Sequence, residues 1–258
     1  MRPSAAYQIT VVLIESKRST KGALPVASRN LYVAPFRHPV ITRIASDVAS
    51  TAPIVAGSAV RLEGERLRGP VTKILLGGAD VTASATTLGD AVIRLQLPNP
   101  LPAGVYAGIQ TARVVHLLPM GSPPTDHRGA ESNVEAFTLR PTVVPKLDAV
   151  PASTTVDGVA LKSGRIVVAC TPNVSKLQRV VLFLNELDPP ASRVSRDYSF
   201  PAPAGNGVVD PSGDTASVTI PFDRVATGTY LVRVRVDGAE SPLTADGTGK
   251  YVGPQVAL

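Results

Sequence analysis

The chain has 258 residues with a formal net charge of +6; it is rich in Val, Ala and Thr, carries 24 Pro and 21 Gly, and has only 4% aromatic residues and no Trp. Pro or Gly interrupts nearly every window long enough for a three-turn helix, which excludes a helical bundle, and no stretch approaches the roughly 18 to 20 apolar residues of a membrane-spanning helix. The cations are scattered, with no run longer than Lys17-Arg18 and no interleaved aromatics, so they read as solvated strand faces and no nucleic-acid partner is expected.

In chain order, Ala5 to Ile14 is an apolar, β-branched run that predicts a strand buried on both faces for part of its length. Glu15 to Gly22 is polar and predicts a loop, and Leu24 to Val33 predicts a shorter returning strand. Two strands alone are marginal in water, so this segment is expected to pack on something larger.

From Pro39 a pattern begins that occurs twice. Its first copy is Gly57 to Gly64, Val71 to Gly78 and Ala91 to Pro98, followed by the Leu101 to Tyr106 turn and a strand over Val105 to Leu118. Its second copy is Gly164 to Cys170, Leu177 to Leu184 and Ala216 to Pro221, followed by the Ala226 to Tyr230 turn and strand. Each ends in a Gly-x-Tyr turn, at Gly104-Val-Tyr106 and Gly228-Thr-Tyr230. Pro119 to Asn133 lacks apolar periodicity and predicts a surface loop before a closing strand at Val134 to Leu139. Arg140 to Pro145, with two prolines in six residues, predicts a stiff linker. Asp188 to Gly213, with five prolines, predicts a long exposed loop and a contact surface.

A repeated strand-only unit predicts an all-β protein: two tandem immunoglobulin-like β-sandwiches preceded by a short N-terminal β segment. The expected domains are 1–37 for that segment, 38–141 for the first sandwich and 142–258 for the second. In Tyr230 to Val236, Arg233 and Arg235 fall on one face and Val232, Val234 and Val236 on the other, the signature of a half-buried strand.

Catalytic and metal-binding patterns are missing. His38, His116 and His127 lie in three unrelated contexts without a second ligand at metal spacing, and His116 reads as a residue at the edge of the core. Asp126-His127 and Asp210 to Asp214 are the only acidic clusters in predicted loops, and the second lacks the alternation and distal Glu of a calcium loop. Leu76 to Asp80 has the glycines of a phosphate loop but no helix after it, so it predicts a tight turn between strands. The single cysteine, Cys170, sits in an apolar run and reads as a small core residue. No catalytic residue, cofactor-binding residue, cofactor, metal or small-molecule substrate is expected.

Two resemblances add to this reading. Pro39 to Arg140, through Pro39 to Ile44, Gly57 to Gly64, Ile74 to Gly78 and the Leu97 to Gly104 turn, resembles the IPT/TIG type of immunoglobulin-like domain. Arg2 to Ser16, followed by Leu24-Pro-Val26 and Arg29, resembles the final strands of the ring-forming domain in tail-terminator (cap) proteins of phage-tail-like contractile injection systems. Gly238 to Leu243 and Gly249 to Pro254 resemble the close of such proteins. The resemblance implies a homohexameric cap that meets sheath and tube proteins, ends their growth, and performs no catalysis. The sequence opens where that ring domain closes, so the chain is expected to be a fragment, a truncated paralogue or an appendage to a separate ring protein. Tyr7, Ile9, Val11, Leu13 and Arg29 are the expected partner-binding residues, suited to completing a partner's sheet by edge addition. With no signal segment at the N-terminus, the expected setting is cytoplasmic assembly and release within an extracellular particle. A different class, an adhesion module recognising a protein or glycan surface, is the competing expectation.

Overall fold

In the computed structural model, which describes residues 38–208 and 213–258, alternating apolar residues become strands with alternately buried side chains. The chain divides into two units, Met1–Ala34 and Pro35–Leu258, and every described residue lies in the second. The expected N-terminal β segment lies outside the described residues.

The first sandwich comprises β1 (Val40–Ser46), β2 (Ala59–Glu65), β3 (Val71–Leu76), β4 (Ala79–Asp80), β5 (Ala85–Leu88), β6 (Val92–Gln96), β7 (Gly108–Met120), β8 (Thr125–Glu131) and β9 (Glu135–Leu139). One sheet runs β1-β2-β6-β5 and the other β4-β3-β7. On the far edge of β7, β9 pairs its N-terminal part and β8 its C-terminal part. Ile41, Leu62, Ile74, Ile93, Val114 and Leu139 fill the space between the sheets. Gly77 and Gly78, at φ 55° and 92°, join β3 to β4 as the expected tight turn.

The second sandwich comprises β10 (Thr142–Leu147), β11 (Ala152–Val156), β12 (Val159–Ser175), β13 (Val180–Glu186), β14 (Asp197–Pro201), β15 (Asp214–Ala226), β16 (Thr229–Val236), β17 (Ala239–Glu240), β18 (Thr244–Ala245), β19 (Tyr251–Gly253) and β20 (Gln255–Ala257). In one sheet β12 pairs β10 and β11 as well as β15; in the other, β14-β13-β16 is extended by β17 and β20. Its own core includes Ile166, Leu182, Leu184, Ile220, Val232 and Val234. The order β1-β2-β6 facing β3-β7-β9 thus recurs as β10-β12-β15 facing β13-β16-β20. The described chain is all-β, two immunoglobulin-like sandwiches in tandem.

Three expected loops are more ordered than their composition suggests. Pro119 to Asn133 is mostly a ribbon of β7 and β8, with Pro119 opposite Asp126. Thr125 to Arg128 are exposed, and a ribbon wetted on both faces needs no apolar alternation, which is why the periodicity is absent. Pro119 also lies beyond the end of β3, which reaches only to Leu117, so its missing N–H leaves no gap there. The expected linker shrinks to Arg140-Pro141, because β10 starts at Thr142 and carries Pro145 opposite Val168 on an edge strand that tolerates it. Within Asp188 to Gly213, Asp197–Pro201 is β14, and Tyr198 and Phe200 pack on the second core.

Candidate functional site

The expected partner-binding residues Tyr7, Ile9, Val11, Leu13 and Arg29 all lie outside the described residues, as does Asp210. The three histidines are not brought together. His116 is buried on β7 with Nε2 3.1 Å from the Leu67 carbonyl, at the edge of the core as its sequence context implies. His127 lies on β8 with Nε2 3.0 Å from Thr125 Oγ1, and the His38 carbonyl accepts a bond from Arg66 Nε at 3.0 Å. Cys170 belongs to the second core, and burial pushes its thiol up to about 12, too high for a working nucleophile. Among the described residues no three His, Cys, Asp or Glu side chains form a group able to hold a metal.

The two Gly-x-Tyr turns lead to the most developed polar geometry. Tyr230 is fully buried at the start of β16, and its hydroxyl donates to the Ala226 carbonyl at 2.6 Å. Its ring meets Tyr198 edge-on at 5.8 Å. This is the tyrosine corner of immunoglobulin-like sandwiches, and burial raises the Tyr230 pKa above the ordinary value. Tyr106 has the matching place before β7 but reaches out of its own sandwich. Its Oη lies 2.9 Å from both carboxylate oxygens of Asp214, at the start of β15. That bond is the main cause of its raised pKa.

The segment after Tyr106 is also held by the second sandwich. Ala107 is only 2% exposed and belongs to the second core. Its carbonyl accepts Gln178 Nε2 at 2.8 Å, and the same nitrogen lies 2.9 Å from Asp237 Oδ2. Asp237 Oδ1 accepts the Arg179 N–H at 2.8 Å, and buried Asn206 donates to the Ser175 and Gln178 carbonyls at 2.8 Å, fixing the turn that carries Gln178. Gly108 follows at φ +127°, and a Cβ there would lie 3.5 Å from the Asp237 Cβ. A second tie is made where the sandwiches join covalently: Arg140 Nε donates to the Glu240 carbonyl at 2.5 Å while the Arg140 N–H bonds the Ile54 carbonyl at 2.8 Å. Beside the first tie opens a cleft of about 440 Å³, flanked by Ile109 and Leu177, which are 74% and 87% exposed.

The outer face of the β14-β13-β16 sheet is distinct from this joint. Phe183 stands on β13 with the Arg235 guanidinium carbon 4.4 Å from its ring centroid and that of Arg233 at 5.8 Å. Arg233 donates to Glu240 and to Asn185 Oδ1. Sequence alternation points to Arg233 and Arg235 as outward residues; it carries no signal that Phe183 lies between them, since the cross-strand register decides that.

Residues 141–257 match the family model of a domain of unknown function, DUF8756. The DUF8756 region coincides with the second sandwich, from Pro141 to the end of β20. No curated protein matches the chain.

Proposed function

We propose that this chain is a non-enzymatic structural component of a contractile injection particle, related to the cap that terminates tube and sheath growth. In this reading the first sandwich is of the IPT/TIG type, and the two sandwiches stand out from the particle as one arm. Tyr7, Ile9, Val11, Leu13 and Arg29 supply the contact with a ring of sheath or tube proteins, in a homohexameric arrangement. Assembly takes place in the cytoplasm, with release as part of the particle. No small-molecule substrate or cofactor enters the reading.

The observation that supports it is the joint. Tyr106, Gln178 and Arg140 each bond across the boundary, as suits a spacer that must hold an orientation rather than a tether that must search. The resemblance of Arg2 to Arg29 supplies the particle.

The test is co-purification with sheath rings. The full chain is expected to travel with them, and a chain lacking residues 1–33 is expected to keep both sandwiches folded but lose the association. Retention of the truncated chain, or absence of the full one, overturns the reading. A second reading, an immunoglobulin-like module that recognises a protein or glycan surface, is favoured by the Phe183 face. Saturable binding on a glycan array would decide for it.

A further inference from the structure

The outer face of the β14-β13-β16 sheet holds two guanidinium groups that nothing in the joint neutralises. Arg233 is committed to Glu240 and Asn185. Arg179 and Arg235 are exposed and form no ion pair among the described residues. The two acids at the adjoining strand ends are engaged: Glu240 on Arg233, and Asp237 on the Arg179 N–H and the Gln178 amide. Between Arg179 and Arg235 lies a depression of about 380 Å³ floored by Val181 and Phe183, with Ser199 and Gly238 at its margins.

The register sets where the two arginines leave the sheet. Arg235 lies opposite Val181, two residues beyond Arg179, so the two arginines are diagonal neighbours with backbone positions about 7–8 Å apart. Side chains two apart on one face of an extended peptide are separated by about 6.8 Å. The backbone spacing of the two arginines, which line one depression, is therefore close to that of alternate side chains on an extended segment. We propose that this face binds an extended acidic peptide segment of the pattern acidic-x-acidic, one carboxylate on Arg179 and the other on Arg235, its backbone lying over Val181 and Phe183.

A carboxylate is the occupant that the face already accepts once, since Glu240 sits on Arg233 in the same row. Nucleic acid fits less well. The guanidinium of Arg235 covers the Phe183 ring that a base would need for stacking. The proposal concerns the isolated chain and does not depend on membership of a particle.

The experiment uses the full chain and a fluorescently labelled peptide carrying Glu-Val-Glu between Gly-Ser flanks, read by anisotropy at low salt. Saturable binding is expected, weakened about tenfold by Arg235→Gln and by Arg179→Gln, the loss of one charge-assisted bond in each case. Arg235→Lys should keep part of the affinity, and Arg43→Gln, on the exposed part of the first sandwich, should leave it unchanged. A Gln-Val-Gln peptide should bind at least tenfold more weakly, and labelled oligothymidylate more weakly than the Glu peptide. No saturable binding, equal binding of the Gln peptide, unchanged affinity in both Gln variants, or tighter binding of oligothymidylate overturns the proposal. Because both arginines are exposed, unchanged thermal melting of the variants separates loss of contact from loss of fold.

Discussion

Tyr106 and Tyr230 occupy the same place in two copies of one fold, yet one serves its neighbour and the other its own sandwich. Tyr230 is sealed among Tyr198 and the β16 core and closes its corner on Ala226. Tyr106 is half-buried and spends its hydroxyl on Asp214 of the other sandwich. The difference arises in the next two residues of each strand. After Tyr230 comes Leu231-Val232, committed to its own sheet; after Tyr106 comes Ala107-Gly108, a small pair that lets the backbone approach Gln178 and Asp237 closely. A repeated motif can keep its backbone shape while its polar end is redirected, and here redirection turns a corner into a joint.

The contrast is most open to challenge at the rings themselves. Tyr230→Ala should cost about 3–5 kcal/mol in urea unfolding of the second sandwich, and Tyr106→Ala no more than about 1 kcal/mol of the first. Equal costs would erase the distinction. Next in expected size is a pH effect peculiar to the second sandwich. Arg193 forms a two-pronged pair with Glu186, which also accepts the Arg196 N–H at 3.0 Å. The Arg193 bonds, chiefly, hold the Glu186 carboxyl down to about 2 from an ordinary value of 4.5. A carboxyl lowered in the folded state stabilises above its unfolded value, so this contribution should be intact above pH 4.5 and fade as pH falls toward 2. Melting temperatures across that window should fall more steeply in the native chain than in Glu186→Gln, and parallel curves would rule the pair out.

Smaller effects separate the two hydroxyls. Tyr230→Phe removes a buried bond and should cost about 1 kcal/mol by chemical denaturation. Tyr106→Phe and Asp214→Asn, combined in a double-mutant cycle, should show a coupling of about 0.5 kcal/mol, and a coupling of zero would mean that the hydroxyl and carboxylate do not interact in solution.

Sequence pattern revealed what depends on local periodicity. The strands around Leu62, Ile93, Ile166 and Val232 bury alternate residues on one face, so their positions and the sandwich class could be read directly. Elements whose two faces share one environment escaped, as β8 did because both its faces are wet. Proline density hid β14, whose Tyr198 and Phe200 do alternate inward. The joint was illegible for another reason: Gly-x-Tyr marks both turns, but whether the hydroxyl turns inward or across depends on Asp214, 108 residues away along the chain. The Phe183 face likewise depends on register between β13 and β16 and not on either strand alone.

If the joint holds, the two sandwiches move as one body, and a distance distribution measured across it would show this. Spin labels at Val48→Cys and Val194→Cys, both on strongly exposed positions in different sandwiches, would report it by pulsed electron resonance. A single narrow distribution that broadens in the Tyr106→Phe, Gln178→Ala double variant is the predicted result. A distribution already broad in the native chain, or unchanged in that variant, would contradict it.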